Sequence, residues 1–127
     1  MTHDSDSMTQ SMVEDLFYTK LKRNTHRFVM LTYDYTEQFP RSELYGTISQ
    51  FRRAAISIML NYVEGYARFK PKVKLNFFET AYGSARECKY LLFLASQRKW
   101  VNDEQYKIGF GILDEVLKML WSIIQGL

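Results

Sequence analysis

The side chains that most often perform catalysis are scarce in this sequence of 127 residues, which contains two histidines and one cysteine. His3 lies near the start, His26 lies in a basic stretch, and Cys88 falls on the apolar stripe of a predicted helix. They cannot complete a structural zinc site built from cysteine and histidine alone. No glutamate is followed by a histidine three residues later, and neither a glycine-rich phosphate loop nor an HExxH motif occurs. The sequence therefore predicts a protein that is not an enzyme and that has no catalytic residue, metal or cofactor.

Basic residues offer a different chemistry, because they form two dense clusters that could neutralise phosphate groups. The first, here called the α1 cluster because it lies in the first predicted helix (12–39), consists of Lys20, Lys22, Arg23 and Arg27. The second, here called the connection cluster because it lies around the junction of the second and third predicted helices, consists of Arg68, Lys70, Lys72 and Lys74. Neither cluster contains an acidic residue, and in the second, Phe69 or the nearby Tyr66 could stack on an unpaired base. We take both as candidate nucleic-acid-binding sites, and the alternative is a solvated helix face and an ordinary basic loop.

The distribution of charge along the chain also points to a polyanionic partner. Residues 1–15 contain four acidic and no basic residues, which leaves 17 basic and 10 acidic residues in the remainder. The body of the protein therefore carries a net charge of +7, although the whole chain carries +3. A body this basic favours nucleic acid, or the acidic face of a protein, as its partner.

Four segments show the periodicity of amphipathic helices, with residues suited to a core at alternating spacings of three and four. The predicted helices span 12–39, 42–68, 72–98 and 103–125. Pro40 ends the first helix, and Asn102 with Gln105 resembles the capping box that begins the fourth. Glycine and proline are too few for the many turns of an all-β protein, and the connections are short. The sequence therefore predicts an all-α protein, an antiparallel up-down four-helix bundle.

A line of polar residues, here called the polar seam, runs along the second predicted helix. It consists of Gln50, Arg53, Ser57, Asn61 and Glu64. At about 100° per residue these side chains fall within an arc of about 80°, and apolar residues lie on both sides of it. Such a pattern indicates a buried or interfacial hydrogen-bond network, which tends to set register or partner choice. A solvated face is the alternative.

Two predicted helices carry a second apolar stripe in addition to their first. The stripes consist of Ile56, Met59, Leu60 and Val63 on the second helix and of Ile112, Val116, Met119 and Ile123 on the fourth. A bundle helix needs one apolar face of about 100°, so a second stripe predicts self-association, with burial inside the monomer as the alternative. Glycines inside the predicted helices are expected to mark close approach of two helices. They are Gly46, Gly65, Gly83, Gly109 and Gly111.

The ends of the sequence predict the domain organisation and the compartment. We expect a disordered acidic tail over residues 1–11 and a four-helix bundle domain over residues 12–127. The first ten residues lack the basic and apolar regions of a signal peptide. The longest apolar run, 54–60, is far shorter than the roughly 20 residues that a membrane span needs. With one free cysteine, these features predict a cytoplasmic protein that has no membrane partner.

Several short motifs in the second and third helices resemble a bacterial family of small helical bundles. Residues 39–46 read FPRSELYG and are similar to the family's FPxxELYG, and residues 49–58 are similar to its SQxRRAAxSI. Asn61 with Glu64 and Gly65 resembles NxxEG, and Gly83-Ser84 with Glu87 resembles GSxxE. The family is that of the 23S rRNA intervening-sequence proteins. It includes a related branch, the accessory variability determinant proteins of diversity-generating retroelements.

The resemblance implies an antiparallel four-helix bundle that assembles as a homopentamer and has no enzymatic activity. It also implies binding to nucleic acid, either structured RNA or an RNA/DNA hybrid, and association with a reverse transcriptase in the retroelement branch. The family motif adds Glu87 to the polar network. Met59 stands where ribosomal-insertion members usually have proline, which favours the retroelement branch and an unkinked second helix. A scaffold that docks an acidic protein without touching nucleic acid is the alternative function.

Overall fold

The computed structural model is all-α, and it describes the backbone of residues 2–127 and the side chains of residues 9–127. The helices are α1 (Thr2–Thr36), α2 (Ser49–Ala67), α3 (Pro71–Gln97) and α4 (Asp103–Gly126). A 3₁₀ turn (Arg41–Glu43) and a π-type turn (Leu44–Ile48) precede α2. No strand occurs in the part of the chain that is described. The predicted all-α class with four helices is confirmed. The disordered tail expected over residues 1–11 falls largely on residues whose side chains lie outside the description, and it stays a prediction.

The core is built from the residues that the spacing of three and four predicts. Every helix contributes fully buried side chains, and ring contacts such as that of Phe28 with Phe51, 6.2 Å between centroids, join the helices. Three threonines on α1 are also buried, and the hydroxyl of each donates to the carbonyl four residues earlier. The core is therefore apolar, and its few polar groups are hydrogen-bonded.

The second apolar stripes of the two helices have different environments. On α4 the whole stripe is buried inside the monomer, and Val116 is fully inaccessible. For this helix the interpretation as a contact between subunits is wrong, because α4 packs against both α1 and α3 and needs a wide apolar face. On α2, in contrast, Leu60 and Val63 are exposed. The evidence for self-association therefore comes from α2 alone.

The start of the second helix differs from the sequence prediction. The chain after Pro40 makes two irregular turns, and the backbone at Gly46 (φ −109°, ψ −111°) interrupts the helical path. The Glu43 carboxylate accepts hydrogen bonds from the hydroxyl of Thr47, at 2.6 Å, and from its backbone N–H, at 3.4 Å. A side chain thus closes this turn, and regular helix begins at Ser49 instead of residue 42. The helix then continues without a break through Met59, as predicted.

The connection between α3 and α4 is fixed by two capping structures. Lys99 adopts a left-handed conformation (φ 61°), and the N–H of Trp100 donates to the carbonyl of Ala95 at 2.9 Å. This pattern is a Schellman motif with lysine in the place that usually holds glycine. Asn102 and Gln105 exchange two hydrogen bonds of 2.9 and 2.7 Å, which confirms the predicted capping box.

The helices contact each other in cyclic order, α1 with α2, α2 with α3, α3 with α4, and α4 with α1. Glycines allow close approach at two places: a Cβ at Gly65 would lie 3.1 Å from the Phe78 ring, and one at Gly109 would lie 3.1 Å from Leu92. At Gly83 and Gly111 the added atom would meet nothing within 4 Å. The packing role predicted for the helical glycines is therefore confirmed for the first pair and absent, within the chain, for the second.

Candidate nucleic-acid interface

One cation of the α1 cluster points away from the other three, although all four are close in sequence. Lys20 and Lys22 are two residues apart, so their side chains leave the helix about 160° from each other. Lys20 pairs with Glu115 of α4 at 3.2 Å, whereas Lys22 lies on the side of α2. Arg23 and Arg27 lie within about 60° of Lys20 around the helix. Both are exposed and make no ion pair with any described residue. The cluster thus presents two unpaired guanidinium groups to solvent.

Two of the four cations in the connection cluster have partners within the fold. Arg68 pairs with Glu64 at 2.5 Å and lies over the Phe77 ring, 5.2 Å from its centroid. The Lys74 ammonium donates to the carbonyls of Gly65 and Tyr66, at 3.2 and 3.3 Å. It therefore satisfies the last carbonyls of α2 and offsets the negative end of the helix dipole.

The other two cations of the connection cluster, and the ring beside them, are exposed to solvent. Lys70 and Lys72 are exposed and make no ion pair with the described residues. Phe69, between them and Arg68, is 95% exposed. A fully exposed ring beside two free ammonium groups has the composition of a base-stacking and phosphate-binding site.

A groove between α1 and α2 brings one residue of each cluster to the same ring. This α1–α2 groove, of about 490 Å³, is lined by Asp15, Tyr18, Thr19, Lys22, Tyr62, Val63 and Tyr66. The Lys74 ammonium lies over the Tyr66 ring, 5.9 Å from its centroid. Tyr66 therefore lines the same groove as Lys22 of the α1 cluster and contacts Lys74 of the connection cluster.

The tyrosines of the α1–α2 groove pack mainly against each other. The Tyr18 and Tyr66 rings meet edge to face at 4.9 Å, and the Tyr62 hydroxyl donates to the Tyr18 carbonyl at 3.3 Å. Burial, with smaller effects from the neighbouring phenols, raises the pKa of Tyr62 to about 12. Burial also raises the pKa of Tyr18. These phenols stay protonated at neutral pH, and their rings serve as packing surface.

The polar seam divides into an inner and an outer part. Ser57 shares a hydrogen bond of 2.8 Å with Ser84 of α3, and the Asn61 amide donates to the Ser57 hydroxyl at 3.0 Å and to its carbonyl at 2.9 Å. The other members, Gln50, Arg53, Glu64 and Glu87, are exposed. An arc of about 80° is wide enough to cross the edge of the α2–α3 contact, so part of the seam joins the helices and part faces outward. The complete network stays a prediction.

A second groove, between α3 and α4, was not singled out by the sequence. This α3–α4 groove consists of two adjoining hollows of about 360 and 230 Å³ that share Arg86 and Lys89. Tyr90, Phe93 and Tyr106 line one hollow, and Tyr82, Asp114, Leu117, Lys118 and Trp121 line the other. The signal in the sequence was the spacing of three and four from Arg86 through Lys89 and Tyr90 to Phe93, which a search for contiguous basic runs does not detect.

The cysteine and the histidine among the described side chains lie in different surroundings. Cys88 is completely buried, and this burial raises the pKa of its thiol. His26 is exposed on α1. Within the described residues, no group of three or more histidine, cysteine and acidic side chains could hold a metal ion. None of the helices in that part of the chain has the length and hydropathy needed to cross a membrane.

Comparisons with known proteins bear on the family and the fold of the chain. Residues 19–122 match the family model described as "23S rRNA-intervening sequence protein". A crystal structure of a protein of unknown function from the S23 ribosomal protein family of Bacteroides thetaiotaomicron VPI-5482 is similar to the chain, with a TM-score of 0.75. The two are 24% identical, and the likeness covers 83% of this chain and 98% of the other, which shows a shared fold. No curated protein matches the sequence.

Proposed function

The chain belongs to the 23S rRNA-intervening sequence protein family, and from this premise we propose that it is a non-enzymatic protein that binds nucleic acid. Its ligand is structured RNA or an RNA/DNA hybrid, and its fold is an antiparallel up-down bundle that forms a homo-oligomer in the cytoplasm. The family name supports a role connected with RNA.

The observation that carries the proposal is a set of exposed cations without carboxylate partners. Arg23 and Arg27 on α1, with Lys70 and Lys72 in the connection, make no ion pair with the described residues. They belong to a body with a net charge of +7. Cations that are not neutralised within the protein release counterions from a phosphate backbone, which favours binding without sequence readout.

Contacts between distant segments support the antiparallel arrangement. The Tyr35 hydroxyl, near the end of α1, donates to the Gln105 carbonyl near the start of α4, at 2.9 Å. The Lys20–Glu115 pair connects the same two helices further along, in the opposite sense. Helices whose contacts run in reverse order are antiparallel.

Exposed apolar residues on α2 support self-association. Leu60 and Val63 are exposed on the helix that also carries the outward part of the polar seam. Burying both kinds of side chain between copies would use the polar residues to set register. The subunit count of five, and a reverse transcriptase as partner in a diversity-generating retroelement, rest on the sequence resemblance alone.

The test is binding of a fluorescently labelled RNA hairpin, measured by anisotropy across a series of salt concentrations. We expect log affinity to fall linearly with log salt, and the slope to decrease by about two in the double variant Lys70→Glu/Lys72→Glu. Arg41→Glu/Lys107→Glu, which changes the net charge equally at two exposed sites outside the clusters, is the matched control.

Three outcomes would contradict the proposal. Weak binding that does not depend on salt would favour the scaffold that docks an acidic protein. An equal loss in both double variants would mean that net charge alone is responsible and that the connection cluster is not the site. In light scattering, a mass of 15.1 kDa, that of one chain, would exclude the oligomer.

A further inference from the structure

The α3–α4 groove is separate from the basic clusters of the proposed function, and it combines exposed rings with unpaired cations. We propose that this groove binds an unpaired strand of nucleic acid, with bases stacked on its aromatic side chains. The inference rests on the proposed nucleic-acid-binding function and adds a second surface with a narrower ligand class, single-stranded RNA or DNA.

The exposure of the rings is the first argument. Tyr90 is 62% exposed, Trp121 is 50% exposed and Phe93 is 46% exposed, although all three could contribute to a core. Tyr82 lies beside the indole of Trp121, with 5.7 Å between ring centroids, and half of the indole remains open. Aromatic rings at this level of exposure offer stacking faces to bases of any sequence.

The charge of the groove is the second argument. Arg86 and Lys89 lie where the two hollows join, and neither has an ion-pair partner among the described residues. The Lys89 ammonium lies 5.5 Å from the centroid of the Phe110 ring. The one carboxylate in the described lining, Asp114, is bound to Lys118 at 3.0 Å. The groove is therefore net positive and complements phosphate groups.

The order of these groups fits an extended strand. Rings lie at both ends of the groove, and the two unpaired cations lie between them. From Tyr106 to Trp121 the groove follows α4 for about 22 Å, at about 1.5 Å per residue, which is enough for a few nucleotides. A duplex is a poor ligand, because its bases are stacked on each other and their faces are not available to the rings.

The test compares labelled 12-nucleotide oligouridine with a blunt-ended RNA duplex by anisotropy. We expect Trp121→Ala to bind oligouridine roughly 5- to 150-fold more weakly, and the duplex with nearly unchanged affinity. Trp121→Phe, which keeps a ring, should restore most of the loss. Tyr45→Ala removes a ring that is 94% exposed on the turn before α2, and it serves as the matched control.

Two further measurements keep the test decisive if Trp121→Ala is poorly folded. Unlabelled oligouridine should quench the tryptophan fluorescence of the wild type, and this quenching should be absent in Trp121→Phe. Arg86→Gln, at an exposed position, should weaken oligouridine binding and decrease its salt slope by about one.

The failure of this inference differs from the failure of the proposed function. Unchanged oligouridine affinity in both Trp121→Ala and Arg86→Gln overturns the groove as a site, even where hairpin binding remains dependent on salt. Loss of oligomer mass in Trp121→Ala, with single-strand affinity unchanged, would assign the groove to a contact between copies. Hairpin binding that lacks salt dependence overturns the proposed function. The oligouridine measurements would then decide separately whether the α3–α4 groove binds a single strand.

Discussion

The α1–α2 and α3–α4 grooves contain similar residues but organise them differently. In the α1–α2 groove, tyrosine rings contact each other, a phenol donates to a backbone carbonyl, and Lys22 shares the lining with Asp15. In the α3–α4 groove three rings are exposed, whereas Tyr62 in the α1–α2 groove is buried. Neither Lys22 nor Arg86 has an ion-pair partner in the described chain, so the grooves differ in their rings and not in their cations. The comparison teaches that aromatic and basic composition does not by itself identify a binding surface. What matters is whether the rings already pack against one another.

The largest expected difference between the grooves is in stability. Tyr62→Ala should lower the free energy of unfolding by about 3–5 kcal/mol, because it leaves a cavity in a buried ring cluster and removes a hydrogen bond. Tyr90→Ala, on the open side, should change the free energy of unfolding by no more than about 0.5 kcal/mol. Denaturation in urea measures both. Equal losses would show that the rings of the two grooves have the same role.

Glycine substitutions sharpen the same contrast between closed and open surfaces. Gly65→Ala places a methyl group 3.1 Å from Phe78, and overpacking of about 1–3 kcal/mol should exceed the helix propensity gain of about 1 kcal/mol. A Cβ at Gly83 would meet nothing within 4 Å, so Gly83→Ala should raise the free energy of unfolding by about 1 kcal/mol and the melting temperature with it. If Gly83→Ala instead lowers both the melting temperature and the oligomer mass, another copy of the chain covers this face.

The salt dependence of oligouridine binding should differ between variants of one cation in each groove, and this effect is smaller than the changes in stability. Arg86→Gln should decrease the salt slope of oligouridine binding by about one, the value expected for one lost phosphate contact. Lys22→Gln should leave that slope unchanged, since Lys22 lies in the other groove. Anisotropy titrations at several salt concentrations measure both slopes. A larger decrease for Lys22→Gln would place the strand in the α1–α2 groove.

Alkaline pH should reveal the buried phenol of the α1–α2 groove. Burial raises the pKa of Tyr62 from 10.0 to about 12, so the unfolded chain loses this proton first. The contribution to stability is fully present below pH 10 and is lost as the pH rises to about 12. We expect a steeper fall of the melting temperature in that interval for the wild type than for Tyr62→Phe. Parallel curves would contradict the assignment, and Tyr90→Phe is the control.

Most of the fold follows from local patterns in the sequence. The spacing of three and four identified the four helices and the core, and Asn102 with Gln105 marked the start of α4. The predicted start of α2 was wrong, because the Glu43 carboxylate binds the Thr47 hydroxyl and closes a turn there. The spacing of apolar residues does not distinguish such a turn from regular helix. The second stripe of α4 was also misinterpreted, since a sequence does not show how many neighbours a helix has.

The candidate sites were less accessible to prediction than the fold. Neighbouring cations such as Lys20 and Lys22 leave a helix in different directions, so a linear cluster overstates a surface patch. Lys74 was counted as a ligand-binding residue, but its ammonium is bound to carbonyls at the end of α2. The α3–α4 groove, whose lining comes from two separate helices, becomes visible only when the chain is folded.

The buried position of Cys88 has a practical consequence. The thiol has no exposed surface and a raised pKa, so maleimide reagents at neutral pH should not modify the native protein. A cysteine introduced at an exposed position would then be the sole attachment point for a dye, without prior removal of the natural one. Dyes attached in this way to separate copies would report the distances between subunits by energy transfer. The natural sequence therefore needs one added cysteine, and no removal, for such measurements.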